Sequence, residues 1–192
     1  MRPARSSDRW RERGASAMEF AIILPTLIIM IFGVVETGFL VKDLVAVRNA
    51  AEEGVRAGAV GANGATADFK ILSAIKGHMG QSRGQVVRIV VYKASGPGAQ
   101  PSATCKAGVP GATEKCNVYT KADFNRASSQ FGCLAASPDK KYCPTSRDST
   151  LTTPDWLGVY IKAHHPGVSG LFSGALDLER VAVFPLERGG SV

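Results

Sequence analysis

From position 20 to position 35 the chain carries no charged side chain at all. Charge is sparse elsewhere too, at 20% of 192 residues, and 21 glycines are spread among the rest. So few charges exclude a long coiled coil, whose flanking positions need them. Aromatic residues make up only 7%, and no basic stripe with interleaved aromatics occurs, which excludes a nucleic-acid partner. Proline is missing between Pro25 and Pro97, so nothing there forbids a long helix. Cysteine is missing before Cys105, and Cys105, Cys116, Cys133 and Cys143 are separated by 10, 16 and 9 residues. Those intervals lack the tight pairs that structural zinc sites use. The overall composition is neither disordered nor collagen-like, and the length suits one domain with an appendage.

The net charge of +7 is unevenly placed. Residues 1–14 hold Arg2, Arg5, Arg9, Arg11 and Arg13 against Asp8 and Glu12, a local +3. Residues 15–41 hold only Glu19 and Glu36, and the remaining +6 is scattered from Lys42 onward. Of the 16 residues between Glu19 and Glu36, 11 are Leu, Ile, Val or Phe, which favours membrane insertion by about 5 kcal/mol. Sixteen residues fall short of the roughly 20 a bilayer needs, so the expected span is 15–41, with Pro25 inside it and free to kink it. Arginines before the span put the N-terminus in the cytoplasm and the rest of the chain outside. A cleaved secretory signal peptide would need a small-residue site directly after the apolar core, and the residues there, Val35-Glu36-Thr37-Gly38-Phe39, offer none.

A plain anchor leaves Glu19 unexplained. It follows Gly14-Ala15-Ser16-Ala17-Met18 and precedes Phe20. A cut after Gly14 would create an ammonium at Ala15, four residues from Glu19. In a low-dielectric setting a carboxylate seeks a cation, and the ammonium of a neighbouring copy supplies one. The alternative is a carboxylate exposed among lipid headgroups.

Arg13 to Phe20 resembles the class III prepilin cleavage signal, in which Gly precedes four residues, Glu and an aromatic. A longer set of pieces resembles the TadE-like family of the tight-adherence (Tad, or Flp) pilus machinery. These are Glu19-Phe20-Ala21, Leu24-Pro25, Phe32-Gly33, Val35-Glu36-Thr37-Gly38 and Asn49-Ala50-Ala51-Glu52-Glu53-Gly54-Val55-Arg56-Ala57. One departure is Thr37, where members usually place an aromatic; Phe39 follows two positions later. The resemblance implies a minor pilin or pseudopilin of the inner membrane, not an enzyme, needing no cofactor. Its partners would be a prepilin peptidase, other pilins or pseudopilins, and the pilus assembly platform. Gly14 and Ala15 would flank the cut, and Glu19 would be the assembly carboxylate. Glu36 either pairs with a partner chain or marks where the helix emerges into water. The alternative function is a membrane-anchored exported ligand-binding domain whose anchor is never cleaved.

Beyond the span, Leu40, Leu44, Val47, Ala51, Val55 and Gly58 recur at helical spacing. Lys42, Asp43, Arg48, Glu52 and Arg56 fall largely off that face. One helix is therefore expected from about 15 to 60, stopped by Gly61, Asn63 and Gly64. Its stripe packs either on the chain's own exported domain or on helices of other subunits. A second helix is expected at 67–79. Strands are expected at 85–93, 156–163 and 178–186, with a short one at 117–120 and a turn of helix at 168–172. Pro185 suits an edge or terminal position.

The expected organisation is a cytoplasmic leader 1–14, a transmembrane helix 15–41, an exported continuation 42–60, and an exported α+β head 61–192. The fold class is α+β and pilin-like, a long helix on a small, mostly antiparallel sheet. The Gly-, Pro- and Ser-rich stretch 95–154 carries all four cysteines. Export favours two disulfides, and of three pairings, short loops favour Cys105–Cys116 with Cys133–Cys143, worth about 3 kcal/mol each. His164 and His165 are adjacent on a strand and point to opposite faces, which suits no shared metal. No serine, cysteine or acid pair sits in a recognisable catalytic motif.

Overall fold

The computed structural model describes residues 8–150, 152–167 and 176–187, with side chains from residue 17 onward. The expected helical turn at 168–172, the rest of 168–175 and the first seven leader residues lie outside the described residues. The chain divides into two units: the first contains the long helix up to Val41, and the second, the head, begins at Lys42.

Helix α1 runs over Asp8–Gly61 with Pro25 inside it. It starts several residues before the expected 15, because the Arg and Glu residues of 8–13 are good helix formers. It stops where Ala62 turns left-handed at φ 43°; the Ala62 amide donates to the Gly58 carbonyl at 2.9 Å and closes the last turn. Helix α2 spans Ala67–Met79 and continues into a 3₁₀ turn at Gly80–Gln85.

Four strands follow: β1 (Val86–Ala94), β2 (Cys116–Tyr119), β3 (Trp156–His165) and β4 (Leu176–Pro185). They form one antiparallel sheet in the order β2-β1-β3-β4. Pro185 ends an edge strand, where its missing donor leaves no gap in the ladder. β1 and β3 lie inside the sheet, which explains their nearly continuous apolar runs.

Within the head, α1 buries Val47, Ala50, Ala51, Val55 and Ala59. Two glycines let it come close. A Cβ on Gly54 would sit 2.7 Å from Ile75 Cγ1; on Gly58 it would sit 2.5 Å from Leu157 Cδ2 and 2.7 Å from Ile71 Cδ1. The same face of the sheet presents Leu157, Val159 and Ile161, all fully buried. Asp43 departs from the expected pattern. It is 3% exposed, because it stands one helical repeat before Val47 on the packed face. Lys42, Arg48, Glu52 and Arg56 are exposed.

The opposite face of the sheet is covered as well. Val90, Tyr92, Tyr160, Cys105 and Cys116 form a second apolar cluster, and the Tyr92 ring lies over its register partner Gly158, where a side chain would collide. The covering segment contains a short helix, α3 (Ala103–Ala107), capped by the Ser102 hydroxyl, which accepts from the Cys105 amide at 3.1 Å. Three 3₁₀ turns, Lys121–Asn125, Ser128–Gln130 and Pro144–Ser146, shape the rest. The Gly-, Pro- and Ser-rich stretch, in which only a short strand at 117–120 is expected from sequence, is thus folded onto the sheet.

Candidate functional site

Among the described residues, the first unit presents an apolar helical surface with no other element packed on it. Met18, Phe20, Ile22, Ile23, Ile29, Met30, Ile31 and Val34 are all more than half exposed. Its most apolar window reaches a mean hydropathy of 2.4 with none of it buried, so α1 is long and apolar enough to cross a membrane. Water would not tolerate so large a patch uncovered. Glu19 and Phe20 lie on this exposed surface, Pro25 falls within the helix, and Glu36 is half-buried. The Thr37 hydroxyl donates to the Gly33 carbonyl at 2.8 Å, which satisfies it in apolar surroundings. Nothing lies within 4 Å of a Cβ built on Gly33 or Gly38. Gly14 and Ala15 belong to the helix, and their surroundings lie outside the described residues.

In the head, Asp43 is the first buried side chain of α1 among the described residues. Its Oδ1 accepts from Ser82 Oγ at 2.7 Å, and its Oδ2 lies 2.7 Å from His165 Nδ1. Burial pushes the Asp43 carboxyl up, but hydrogen bonds from Ser82, His165 and Gln85 and the nearby His165 charge outweigh it, leaving the group below its ordinary value. Serine, histidine and aspartate are all present, yet this is not a nucleophile triad. Serine and histidine both engage the one carboxylate, whereas a triad places histidine between the other two. The cluster ties the start of α1 in the head to the turn after α2 and to the end of β3.

Sequence reading missed this site because a charged residue was assigned to solvent. The available signal was the spacing of Asp43, Val47, Ala50 and Gly54. His164 and His165 do point to opposite faces: His164 pairs with Asp177 at 3.2 Å on the surface, and His165 is buried.

A second polar cluster fixes the covering loop. Asp68, on α2, accepts from Arg147 Nη2 at 2.6 Å, Tyr119 Oη at 2.5 Å and Asn117 Nδ2 at 2.8 Å. Asp68 and Arg147 are both fully buried. The guanidinium also stacks 4.4 Å over the Tyr142 ring. Burial, followed by the Asp68 charge and its hydrogen bond, pushes the Tyr119 hydroxyl well above its usual value.

The structure pairs Cys105 with Cys116 and Cys133 with Cys143, the short-loop connectivity. Cys105, Glu114 and Cys116 cluster closely enough to suggest a metal site, but both sulfurs are consumed in the disulfide. Glu114 instead accepts hydrogen bonds from Ser102, Thr104 and the Gly111 amide. These interactions are structural; they hold the loop and offer no reacting group.

Set beside known proteins, residues 14–56 match the TadE-like protein family model, a stretch lying wholly within α1. No curated protein and no solved structure matches the chain.

Proposed function

We propose that this chain, which carries a TadE-like segment at residues 14–56, is a minor pilin or pseudopilin of a tight-adherence (Flp-type) pilus. One observation carries the reading: the family match falls on a helix whose most apolar stretch is unburied among the described residues. A helix of that kind has two covers open to it, lipid and other helices, and a pilus subunit uses both in turn.

On this reading the chain is inserted in the bacterial inner membrane through 15–41, with the leader 1–14 in the cytoplasm and the head exported. A prepilin peptidase cuts after Gly14. The new ammonium of Ala15 on one subunit meets Glu19 of another, and this pair sets the stagger of helices as they leave the bilayer. Phe20 and the other exposed apolar residues then exchange lipid for neighbouring helices. Glu36, half-buried in the isolated chain, is the second acidic position of the span. The head, with its disulfide-held loop, is the part presented outside. The protein works through assembly with other pilins and the assembly platform, not through catalysis.

The test is Glu19→Ala. The variant should insert normally, resisting carbonate extraction, and fail to enter assembled pili. Wild-type-like incorporation would remove the role given to Glu19. A full-length, uncleaved chain that stays monomeric in detergent would favour an anchored ligand-binding domain instead.

A further inference from the structure

We propose that the end of the head from which α1 leads back to the apolar segment is a basic surface that docks on anionic phospholipid headgroups. The proposal rests on reading 15–41 as a membrane span, but it concerns residues outside that span.

Asp43 defines this end. It bonds Ser82 in the turn after α2 and His165 at the end of β3. The other end of the head is marked by Gly58 against Leu157 at the start of β3 and by the Glu187 amide on the Ala59 carbonyl. The apolar stretch ends at Val41, only two residues before Asp43, so chain connectivity tethers Asp43 within about 7 Å of where the span stops.

Two shallow grooves open around the Gly80–Gln85 and Lys121–Asn125 turns. One is lined by Lys76, Arg83 and Arg126, with Phe69 and Phe124 as apolar walls. The other is lined by Lys121 and His164 beside Val87, Ala122 and Pro166. No carboxylate lines either groove among the described residues. Acids on the surrounding elements are engaged: Asp43 by Ser82 and His165, Asp123 by Arg126, and Asp177 by Lys162 and His164, which leaves Lys76, Arg83 and Lys121 as the groove-lining cations outside these pairs. Lys76 donates to the Phe124 carbonyl and to Asn125. Arg83 and Lys121 are exposed and in no ion pair among the described residues. Cations whose apolar stems lie beside an exposed Val87 match the headgroup boundary, where charge meets phosphate and carbon meets acyl chain.

The experiment uses the full chain in nanodiscs of phosphatidylcholine, alone or mixed with phosphatidylglycerol. Amide hydrogen exchange is read over 80–85 and 121–125. Phosphatidylglycerol should slow exchange several-fold in both turns. The Arg83→Glu/Lys121→Glu variant should abolish the slowing, since each lost cation weakens headgroup binding by about five-fold and each added carboxylate repels the same headgroups; high salt should abolish it too. The neutral pair Arg83→Gln/Lys121→Gln should lie between, and it serves if the reversal impairs folding. Equal exchange in the two lipids would overturn the proposal. So would equal slowing by soluble glycerol phosphate, which would indicate a small-anion pocket, or slowing by polyglutamate alone, which would indicate an acidic protein partner. Carbonate extraction of the same chain separates the two readings. Release from the membrane would sink the span itself, whereas retention with lipid-independent exchange would sink only the headgroup surface.

Discussion

Asp43 and His165 are 122 residues apart in sequence and 2.7 Å apart in the head. Their contact is buried at both ends, and the carboxylate's other oxygen takes the Ser82 hydroxyl. Three segments that share no local sequence signal are fixed to one another at the point where α1 joins the head. The cluster sets which face of α1 turns toward the sheet, since only one helical phase brings Asp43 to His165 and Gly58 to Leu157 together.

Removing the carboxylate should therefore be expensive. Asp43→Leu is expected to destabilise the head by about 3 kcal/mol, because two polar partners remain buried without it. Its pH dependence has a definite sign. The folded carboxyl lies below its ordinary 3.8, so Asp43 contributes stability that is complete above that value and is lost as pH falls through the lowered one. The gap in urea midpoint between the native chain and Asp43→Asn should be full at about pH 5 and narrow below about pH 4. A gap that widens on acidification would contradict the assignment.

Glycine substitutions along α1 should divide by position. Gly58→Ala places a methyl 2.5 Å from Leu157 and 2.7 Å from Ile71, and is expected to lower head stability by about 1–3 kcal/mol despite the better helix propensity of alanine. Gly33→Ala and Gly38→Ala meet open space and should leave head stability unchanged. Thermal melts of the three variants, recorded in one detergent, make the comparison.

The Asp68–Arg147 pair holds the cysteine-rich loop against α2. Arg147→Met leaves a fully buried carboxylate without its cation, an expected loss of about 3–5 kcal/mol. Adding Asp68→Asn should recover much of it, since the amide still has Asn117 and Tyr119 as neighbours. Urea unfolding of both variants under non-reducing conditions reads the difference. Equal stabilities for the single and double variants would show that the ion pair is not what holds the loop.

Much of this architecture is visible in local pattern. The apolar run, the limits of α2 and the four strands follow from spacing within a few residues, and the structure has each of them. The TadE-like resemblance is also local, a run of short pieces between Glu19 and Ala57. What local pattern conceals is burial of charge. Asp43 falls off the apolar stripe in sequence, and nothing local singles out Asp68 or Arg147, because His165 lies 122 positions from Asp43 and Arg147 lies 79 from Asp68. Of the stretch 95–154, the strand at 117–120 and the short-loop disulfides are legible, while the rest is not, because its order comes from a capped turn and buried polar contacts that have no period. Glu19 is the converse case: its residue motif is legible, while an isolated chain leaves it exposed because the proposed partner is another subunit.

Oxidation state should matter to the loop more than to the helices. Reducing both disulfides releases loops with sequence separations of 11 and 10, each worth about 3 kcal/mol in the chain-entropy picture. Hydrogen exchange under reducing conditions should rise first over 103–147 and last over the α1 and β3 residues that meet at Gly58 and Leu157.

The central claim is that this chain is a processed pilus subunit, and N-terminal sequencing of the mature protein from its native membrane tests it most directly. The expected first residue is Ala15, leaving Glu19 as the fifth residue of the working chain. A start at Met1, or anywhere beyond residue 36, would contradict the account.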